Sequence, residues 1–207
     1  MRTVETIVAP TFEPVTRAEA RLWMRLTDTT EDDIVDGLIK AMRERAETIT
    51  GRAFAARTLR VSMDCWPIDP TWGPRIDLPM AAPIRAVGSP GDYISSFTYL
   101  DTSGVRQNLS ADLWQVNPEF QPAFIIPSYG SSWPALRHAP TAVQVTYYVG
   151  YDSTSAMPEE VRLWMKARAA TMFEFREQIV AGSIVNKLPA DFTDGLLDGL
   201  VLGSRMF

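Results

Sequence analysis

The sequence predicts an α+β protein, in which a helical bundle from the N- and C-terminal segments carries an inserted antiparallel β domain. Two observations predict this class. Residues 16–50 and 157–178 repeat apolar side chains at intervals of three and four, as amphipathic helices do. Residues 57–152 hold eleven of the fifteen prolines, all six tyrosines and four of the six tryptophans. The expected parts are an N-terminal helical part (1–56), a β-rich insertion (57–152) and a C-terminal helix with a tail (153–207), with 1–56 and 153–182 packing as one helical unit.

Composition and charge narrow the class of protein. The chain has 207 residues, 46% of them hydrophobic and 22% charged, which is enough to bury a core in one domain or two small ones. Its formal net charge is −5. Tight binding of DNA requires an excess of basic side chains to neutralise the phosphates, so the net negative charge argues against a DNA-binding protein. Double-stranded DNA close to this protein should pass without specific binding.

The sequence contains a single cysteine and a single histidine, which excludes functions that need several of these residues. One thiol cannot form an internal disulfide or a cysteine-based zinc cluster. No apolar segment precedes Pro10, and no run approaches the roughly 20 apolar residues that cross a bilayer. We therefore expect no signal peptide, no membrane partner, and synthesis in the cytoplasm of a host cell.

The first helix is predicted to begin after a capping box. Thr16 and Glu19 have the spacing in which the hydroxyl accepts a free helix N–H and the carboxylate reaches back to the cap. The helix should run to about Leu26. Its expected apolar face consists of Ala18, Leu22 and Leu26, with Trp23 beside them.

The second helix follows the polar turn that contains Asp28. Thr30 and Asp33 suggest a second capping pattern, and Glu31 and Asp32 place negative charge where the helix dipole favours it. Gly51, between Thr50 and Arg52, is the expected left-handed stop. The predicted apolar face comprises Ile34, Leu38, Met42, Ala46 and Ile49.

Between the helical parts, polarity alternates with a period of two. Leu59, Val61, Met63 and Cys65 alternate with polar residues, which predicts a half-buried strand. Proline and glycine separate the short strands, as in an antiparallel sheet or small sandwich. The other predicted strands are Ile84–Val87, Tyr93–Leu100, Leu113–Val116, Phe124–Ile126 and Val143–Val149.

The last part begins with Pro158 followed by two acids, a typical helix start. Its predicted apolar face contains Val161, Trp164, Met165, Met172 and Phe173, and the helix should extend to about residue 178. The tail is apolar but interrupted by glycines, each of which costs a helix about 1 kcal/mol relative to alanine. We expect tail residues Leu196, Leu197, Leu200 and Val201 to be anchors for a partner surface.

Residue types that act as catalytic groups in other proteins occur in this sequence, but their arrangement does not predict a catalytic site. Cys65 and His138 could pair as thiol and imidazole, but no nucleophile signature surrounds either. A hydrolytic pair could be drawn from Asp64, Asp69, Asp77 and Asp92, although nothing in the sequence brings any two together.

Metal and phosphate sites are also unsupported. Glu31, Asp32 and Asp33 are consecutive on a helix and point in different directions, so helix capping explains them better than a metal ion. The glycines of residues 88–92 lack the lysine and the following helix of a phosphate-binding loop. The sequence therefore predicts no metal, no cofactor and no enzymatic activity.

The aromatic residues of the β zone leave two interpretations open. Trp66, Trp72, Trp114 and Trp133 could form a platform on which sugars stack, which would make the chain a carbohydrate- or receptor-binding β module with helical flanks. Large rings more often fill a small β core and its protein interfaces, and we favour that interpretation.

The order of these segments resembles the head–tail connector (adaptor) proteins of tailed phages, in their long form. Residues 14–54 resemble the family's opening, with the capped helix at Thr16, the acids Asp28, Glu31 and Asp32, and the Thr50-Gly51-Arg52 ending. The later likeness lies in SSWP at 131–134, VQVTYYVGY at 143–151 and the helix that begins MPEEV at 157. No single motif is specific, whereas the order of all of them is.

This resemblance implies a structural subunit in the neck of a phage, prophage or gene transfer agent. In such families a ring, usually twelvefold, forms under the portal protein. The C-terminal segment docks on the portal, and a lower neck (stopper or head-completion) or tail protein binds below. The implied partners are therefore the portal, neighbouring copies, the lower protein and the DNA that passes through. The implied portal-docking residues are Leu196, Leu197, Leu200, Val201 and Phe207.

Overall fold

The chain combines helices with antiparallel sheets in two compact units. The computed structural model describes residues 1–70, 73–89, 91–175 and 195–202. One unit comprises Met1–Thr11 and Ala55–Tyr151, and we call it the β unit. The other comprises Phe12–Phe54 and Asp152–Phe207, and we call it the helical unit. The mixed α+β class predicted from the sequence is confirmed.

Two antiparallel sheets make up the β unit. The larger has five strands in the order β1-β2-β8-β4-β5, and the smaller has three in the order β3-β7-β6. The strands are β1 (Arg2–Val8), β2 (Arg57–Met63), β3 (Ile76–Asp77), β4 (Ile94–Leu100), β5 (Arg106–Asn108), β6 (Trp114–Asn117), β7 (Phe124–Pro127) and β8 (Val143–Val149).

The core of the β unit lies around β2 and β8, two of the three inner strands of the larger sheet. In their register Leu59 faces Tyr147 and Val61 faces Val145, and all four side chains are buried. β-branched and aromatic side chains suit such paired positions because they pack closely across a pleated surface. The Tyr147 hydroxyl donates to the carbonyl of Pro79 at 2.8 Å. Burial raises the pKa of this phenol, which keeps it neutral and able to donate.

The N-terminal residues are a strand and not part of the helical segment to which the sequence analysis assigned residues 1–56. Strand β1 pairs antiparallel with β2, so that Val4 lies opposite Val61. The ammonium group of Met1 contacts the Asp64 carboxylate at 2.6 Å, and the Arg2 guanidinium donates to the carbonyl of Asp77. Sequence reasoning missed this strand because its partner lies more than fifty residues away along the chain.

Most of the other predicted strands are confirmed to within two residues at their ends, and β8 has the predicted bounds. The prediction for residues 84–87 is wrong, because Ile84 forms only an isolated bridge to Val149. The prediction for Cys65 is also wrong: β2 ends at Met63, and Cys65 is exposed and not on an apolar strand face.

Three α-helices, the short 3-10 helix Thr154–Ala156 and a C-terminal 3-10 helix are described in the helical unit, and we call the last of these the 3-10 helix. The α-helices are α1 (Arg17–Met24), α2 (Asp32–Thr50) and α3 (Glu159–Glu174), and the C-terminal 3-10 helix is Gly195–Leu200. Helix α1 ends two residues earlier than predicted, with Arg25 in the left-handed conformation. Pro158 immediately precedes α3, and the predicted extension of this helix to residue 178 lies partly outside the described residues.

The buried faces of the helices differ from the predicted ones. In α2 the buried apolar residues are Val35, Ile39, Met42 and Ala46, whereas Ile34 is exposed. The prediction for Met42 and Ala46 is therefore confirmed, whereas in the first half of α2 the buried residues are Val35 and Ile39 and not Ile34 and Leu38. In α1 only Ala20 is buried, and the predicted apolar residues Ala18 and Leu22 are exposed.

A buried ionic cluster holds the end of α2. Arg43 donates to Glu47 at 3.0 Å and to Glu13 at 2.8 Å, and both Arg43 and Glu47 are buried. Burial disfavours the charge of Arg43, but the hydrogen bond to Glu13 and the charge of Glu47 outweigh that effect and raise the pKa of the guanidinium. Glu47 also accepts the backbone N–H of Phe54 at 3.0 Å. The cluster therefore fixes the chain on both sides of the α2 terminus.

Candidate functional site

The capping box at the start of α1 is confirmed. The Thr16 hydroxyl accepts the backbone N–H of Glu19 at 3.2 Å, and the Glu19 carboxylate accepts the backbone N–H of Thr16 at 2.8 Å. Glu19 also binds Arg162 of α3. Burial opposes the charge of Glu19, but the hydrogen bonds from Thr16 and the charge of Arg162 outweigh it and lower the pKa of this carboxyl. The motif therefore joins α1 to α3 as well as starting the helix.

The acidic residues before α2 form a turn and ion pairs, not a second capping box. The prediction for Thr30 and Asp33 is wrong, since the N-cap residue is Glu31 and no side chain caps the helix. Asp28 accepts the backbone N–H of Thr30 at 3.0 Å. Asp32 pairs with Arg17 at 3.3 Å and with Arg21 at 3.6 Å. These ion pairs join α1 to the start of α2.

The helix end at Thr50, Gly51 and Arg52 holds the C-terminal segment. Gly51 ends α2 in the left-handed conformation, as predicted, with φ of 70°. The carbonyl of Thr50 accepts the N–H of Leu202 at 2.9 Å, and the Arg52 guanidinium donates to the carbonyl of Leu200. A side chain at position 51 would also approach Leu202 to 3.7 Å. All three residues of this motif thus border the tail, a contact that the sequence analysis did not foresee.

The five predicted tail anchors have different environments. Leu197 is only 1% exposed, so it is an internal anchor of the helical unit and not a free docking residue. Its burial is possible because α2 and α3 leave an apolar space in which it sits. Val201 is exposed, whereas Leu196 and Leu200 are half-buried. Phe207 lies outside the described residues.

A groove lies between α2, α3 and the 3-10 helix. It has a volume of about 410 Å³. Arg45 and Arg168 lie at its rim together with Asp198. Its apolar lining consists of Met42, Ile49, Trp164, Met172 and Leu197. This largely apolar lining suits a protein side chain better than a small polar substrate.

A second exposed apolar surface belongs to α1, and we call it the α1 stripe: Ala18, Leu22 and Trp23. Leu22 is 81% exposed and Trp23 is 45% exposed, and Ala18 is also exposed. The Lys166 ammonium of α3 lies 5.6 Å from the centre of the Trp23 ring, which orients the indole. The sequence marked these residues as apolar, but only the structure shows that the described part of the chain leaves them uncovered.

The aromatic residues of the β unit pack on one another. Trp66 and Trp133 stack with their ring centroids 4.9 Å apart, and both lie within 6.0 Å of Phe97, which is buried. Trp114 contacts Phe97 at 5.7 Å. Trp72 lies outside the described residues. Because Trp66 and Trp133 cover each other, their stacked faces are not offered to a sugar, and the three tryptophans are half-buried around the buried Phe97.

The residues considered for chemistry are engaged elsewhere or exposed. Asp77 pairs with Arg75 at 2.5 Å, and Asp64 binds the amino terminus. Cys65 and His138 are both exposed. In the parts of the chain that the structure describes, no group of three potential metal ligands converges. Among the same residues, no helix has the length and apolar character needed to cross a bilayer.

Comparison with known proteins shows which fold this arrangement represents. No protein-family model and no curated protein matches the sequence. The fold matches chains in solved structures of gene transfer agent (GTA) particles. One is from the neck of an empty GTA particle computed with C6 symmetry, with a TM-score of 0.73, 22% identity, and coverage of 98% of this chain and 99% of that chain.

Two further solved structures contain chains with the same fold. A chain in the virion of a native GTA particle has a TM-score of 0.71 and 22% identity, and a chain in the neck of a native GTA particle computed with C12 symmetry has a TM-score of 0.63 and 20% identity. Each match covers 98% of this chain and 99% of the other. At these identities the likeness establishes a shared fold over nearly the whole chain.

Proposed function

We propose that this chain is a structural subunit of the neck of a tailed phage or gene transfer agent. Copies of it form a ring between the portal and the lower neck or tail proteins, and the sequence resemblance implies that this ring is twelvefold. Its role is to join these parts and to line the DNA passage, without catalysis. This proposal includes synthesis in the bacterial cytoplasm before assembly.

The observation that carries this proposal is the fold match over the whole chain. A TM-score of 0.73 with 98% and 99% coverage means that the neck chain and this chain share both units, not one common motif. The sequence resemblance to head–tail adaptor proteins agrees with this fold match. A shared fold does not by itself fix a function, so the uncovered α1 stripe is the second support.

The finer assignments concern the contacts of the ring. We propose that Leu196, Leu200, Val201 and Phe207 contribute to portal docking, while Leu197 holds the tail on the helical unit. We also propose that the family-motif residues serve the architecture of the helical unit. They are Thr16, Glu19, Asp28, Glu31, Asp32, Thr50, Gly51 and Arg52.

Charge supports a passive role towards DNA. With a net charge of −5 and basic residues scattered along the chain, an acidic channel wall would repel the phosphate backbone and let it slide. The partners are therefore proteins: the portal, neighbouring copies and the protein below.

Deletion of the gene in a particle-producing strain tests this function. We expect heads and tails that are not joined, and restoration by the full-length chain, both read by electron microscopy. A chain that ends after residue 182 should restore joining poorly, because the tail is missing. Normal joined particles from the deletion strain would contradict the proposed function.

A further inference from the structure

We propose that the α1 stripe of one copy inserts into the groove between α2, α3 and the 3-10 helix of the next copy. This inference rests on the proposed ring and names the surfaces that close it. The occupant of the groove is thus a second copy of this chain. Four features of the helical unit support the assignment.

The first feature is an apolar stripe without cover. Helix α1 repeats apolar residues at the spacing of an amphipathic helix, yet only Ala20 is buried. Leu22, at the centre of the stripe, is 81% exposed. A helix whose apolar side remains in solvent is expected to have a partner surface.

The second feature is that the stripe and the groove lie on different sides of the helical unit. Helix α3 contacts α1 through Arg162, which binds Glu19, and through Lys166, which lies over Trp23. The groove is lined by Trp164 and Arg168 of the same helix. Since successive residues of an α-helix are about 100° apart, these two pairs project from opposite faces of α3.

This arrangement matches the geometry of a ring. In a ring each contact is heterologous: one surface of a copy meets a different surface of the next. A two-fold dimer would instead require one surface to complement itself. Two unlike apolar surfaces on opposite sides of one helix therefore favour a head-to-tail contact.

The third feature is charge. Arg17 pairs with Asp36, and Arg21 pairs with Asp32, so these bases are neutralised. The residues that follow α1 in the sequence include the exposed Arg25, Asp28 and Asp33. Arg45, Arg168 and Asp198 all border the groove. Acidic side chains beside the stripe can therefore meet arginine side chains beside the groove, which favours correct orientation during assembly.

The fourth feature is chemical fit. Met42, Met172 and Trp164 line the groove, and methionine side chains adapt their shape to an inserted apolar group. Met172 is 50% exposed, so part of this lining is open to solvent in the described structure. A leucine and an indole ring are suitable occupants of such a surface.

Photo-cross-linking in assembled particles tests the contact directly. The photoreactive residue p-benzoylphenylalanine replaces Leu22 in the full-length chain, which is supplied to a strain that lacks its own copy. Illumination should give an adduct of twice the chain mass, and mass spectrometry should locate it in residues 42–49 or 164–172. The matched control places the same residue at Lys40, an exposed position of α2 outside both surfaces, and should give no such adduct.

The outcomes separate this inference from the proposed function. Adducts that map elsewhere, or equal adducts from both positions, overturn the contact. So does the absence of an adduct from necks that contain the chain, in which case the neck role stands. Necks that lack the chain altogether overturn both proposals.

A substitution provides an independent readout. Leu22→Glu should leave the thermal unfolding of the free chain unchanged, because the side chain is exposed, and should reduce incorporation into necks. Loss of one important interface side chain weakens association by about tenfold or more. The control Lys40→Glu makes a larger change in charge and should be incorporated normally. Normal incorporation of Leu22→Glu would also overturn the contact.

Discussion

The β unit and the helical unit differ in where their exposed apolar residues lie. In the β unit, strands β2 and β8 are buried along most of their length, and the tryptophans pack against Phe97. The exposed apolar residues there lie on loops, such as Ile68 and Tyr129, or on the edge strand β1. In the helical unit, most of the exposed apolar residues lie on regular helices: Leu22 and Trp23 on α1, Ile34 on α2 and Met172 on α3.

The difference indicates which surface is built for assembly. Single apolar residues on loops are normal on any soluble protein. A helix that exposes its apolar side to solvent is less common and marks an interaction surface. We therefore assign structural stability chiefly to the β unit and contacts between copies to the helical unit.

The largest effect on stability is expected from a substitution inside the β unit. Gly150 has a φ of +90°, and a Cβ there would lie 2.4 Å from the carbonyl oxygen of Ala55. Gly150→Ala should lower the free energy of unfolding by about 3–5 kcal/mol, because left-handed strain adds to overpacking. Urea denaturation measures this loss.

Gly130 is the matched control for this substitution. It also has a positive φ, of +75°, but nothing lies within 4 Å of a Cβ at this position. Gly130→Ala should therefore cost only the backbone strain, about 1–2 kcal/mol. Equal losses from both variants would show that the close approach of Ala55 does not matter.

An intermediate effect is expected in the tail of the helical unit. Leu197→Ala removes a side chain that is buried against α2 and α3, and should cost about 2–4 kcal/mol. Its neighbour Leu196 is half-buried, and Leu196→Ala should cost about 1 kcal/mol or less. Thermal unfolding of the two variants distinguishes them. If Leu197→Ala were as stable as the parent, the tail would not belong to the core of this unit.

The smallest effect concerns the charge of Glu19. Glu19→Gln keeps the hydrogen bonding of the capping box but removes the ion pair with Arg162. Because the Glu19 side chain is about a third exposed, the loss at neutral pH should be below about 1 kcal/mol. Urea denaturation of both proteins across pH measures it.

The sign of the pH dependence follows from the lowered pKa of Glu19. The charged carboxylate stabilises the folded chain above the ordinary glutamate pKa of about 4.3, and this contribution is lost as pH falls through the lower pKa of the folded state. The difference between parent and variant should therefore vanish in acid. A difference that grew as pH fell would contradict the assigned ion pair.

Local sequence signals predicted the elements that depend on local physics. The Thr16 and Glu19 pair marked the start of α1, and Gly51 marked the end of α2, since caps depend on residues a few positions apart. Strand β8 was predicted with its observed bounds because its β-branched and aromatic residues lack any helical spacing.

The features that the sequence analysis did not predict depend on partners that are distant in the sequence. Strand β1 has Thr3, Val4, Thr6, Ile7 and Val8, a strand-like composition that could have indicated it, but its place in the sheet is set by β2. Burial of Leu197 depends on the space between α2 and α3. The exposure of Leu22 follows from the packing of α1 through its other side, which the apolar pattern alone cannot reveal.

A cryo-electron microscopy reconstruction of the particle neck tests the central claim most directly. The account predicts a ring of this chain next to the portal, with Leu22 of each copy covered by α2 and α3 of its neighbour. A neck in which this chain is absent, or in which it is present with the α1 stripe open to solvent, would contradict the account.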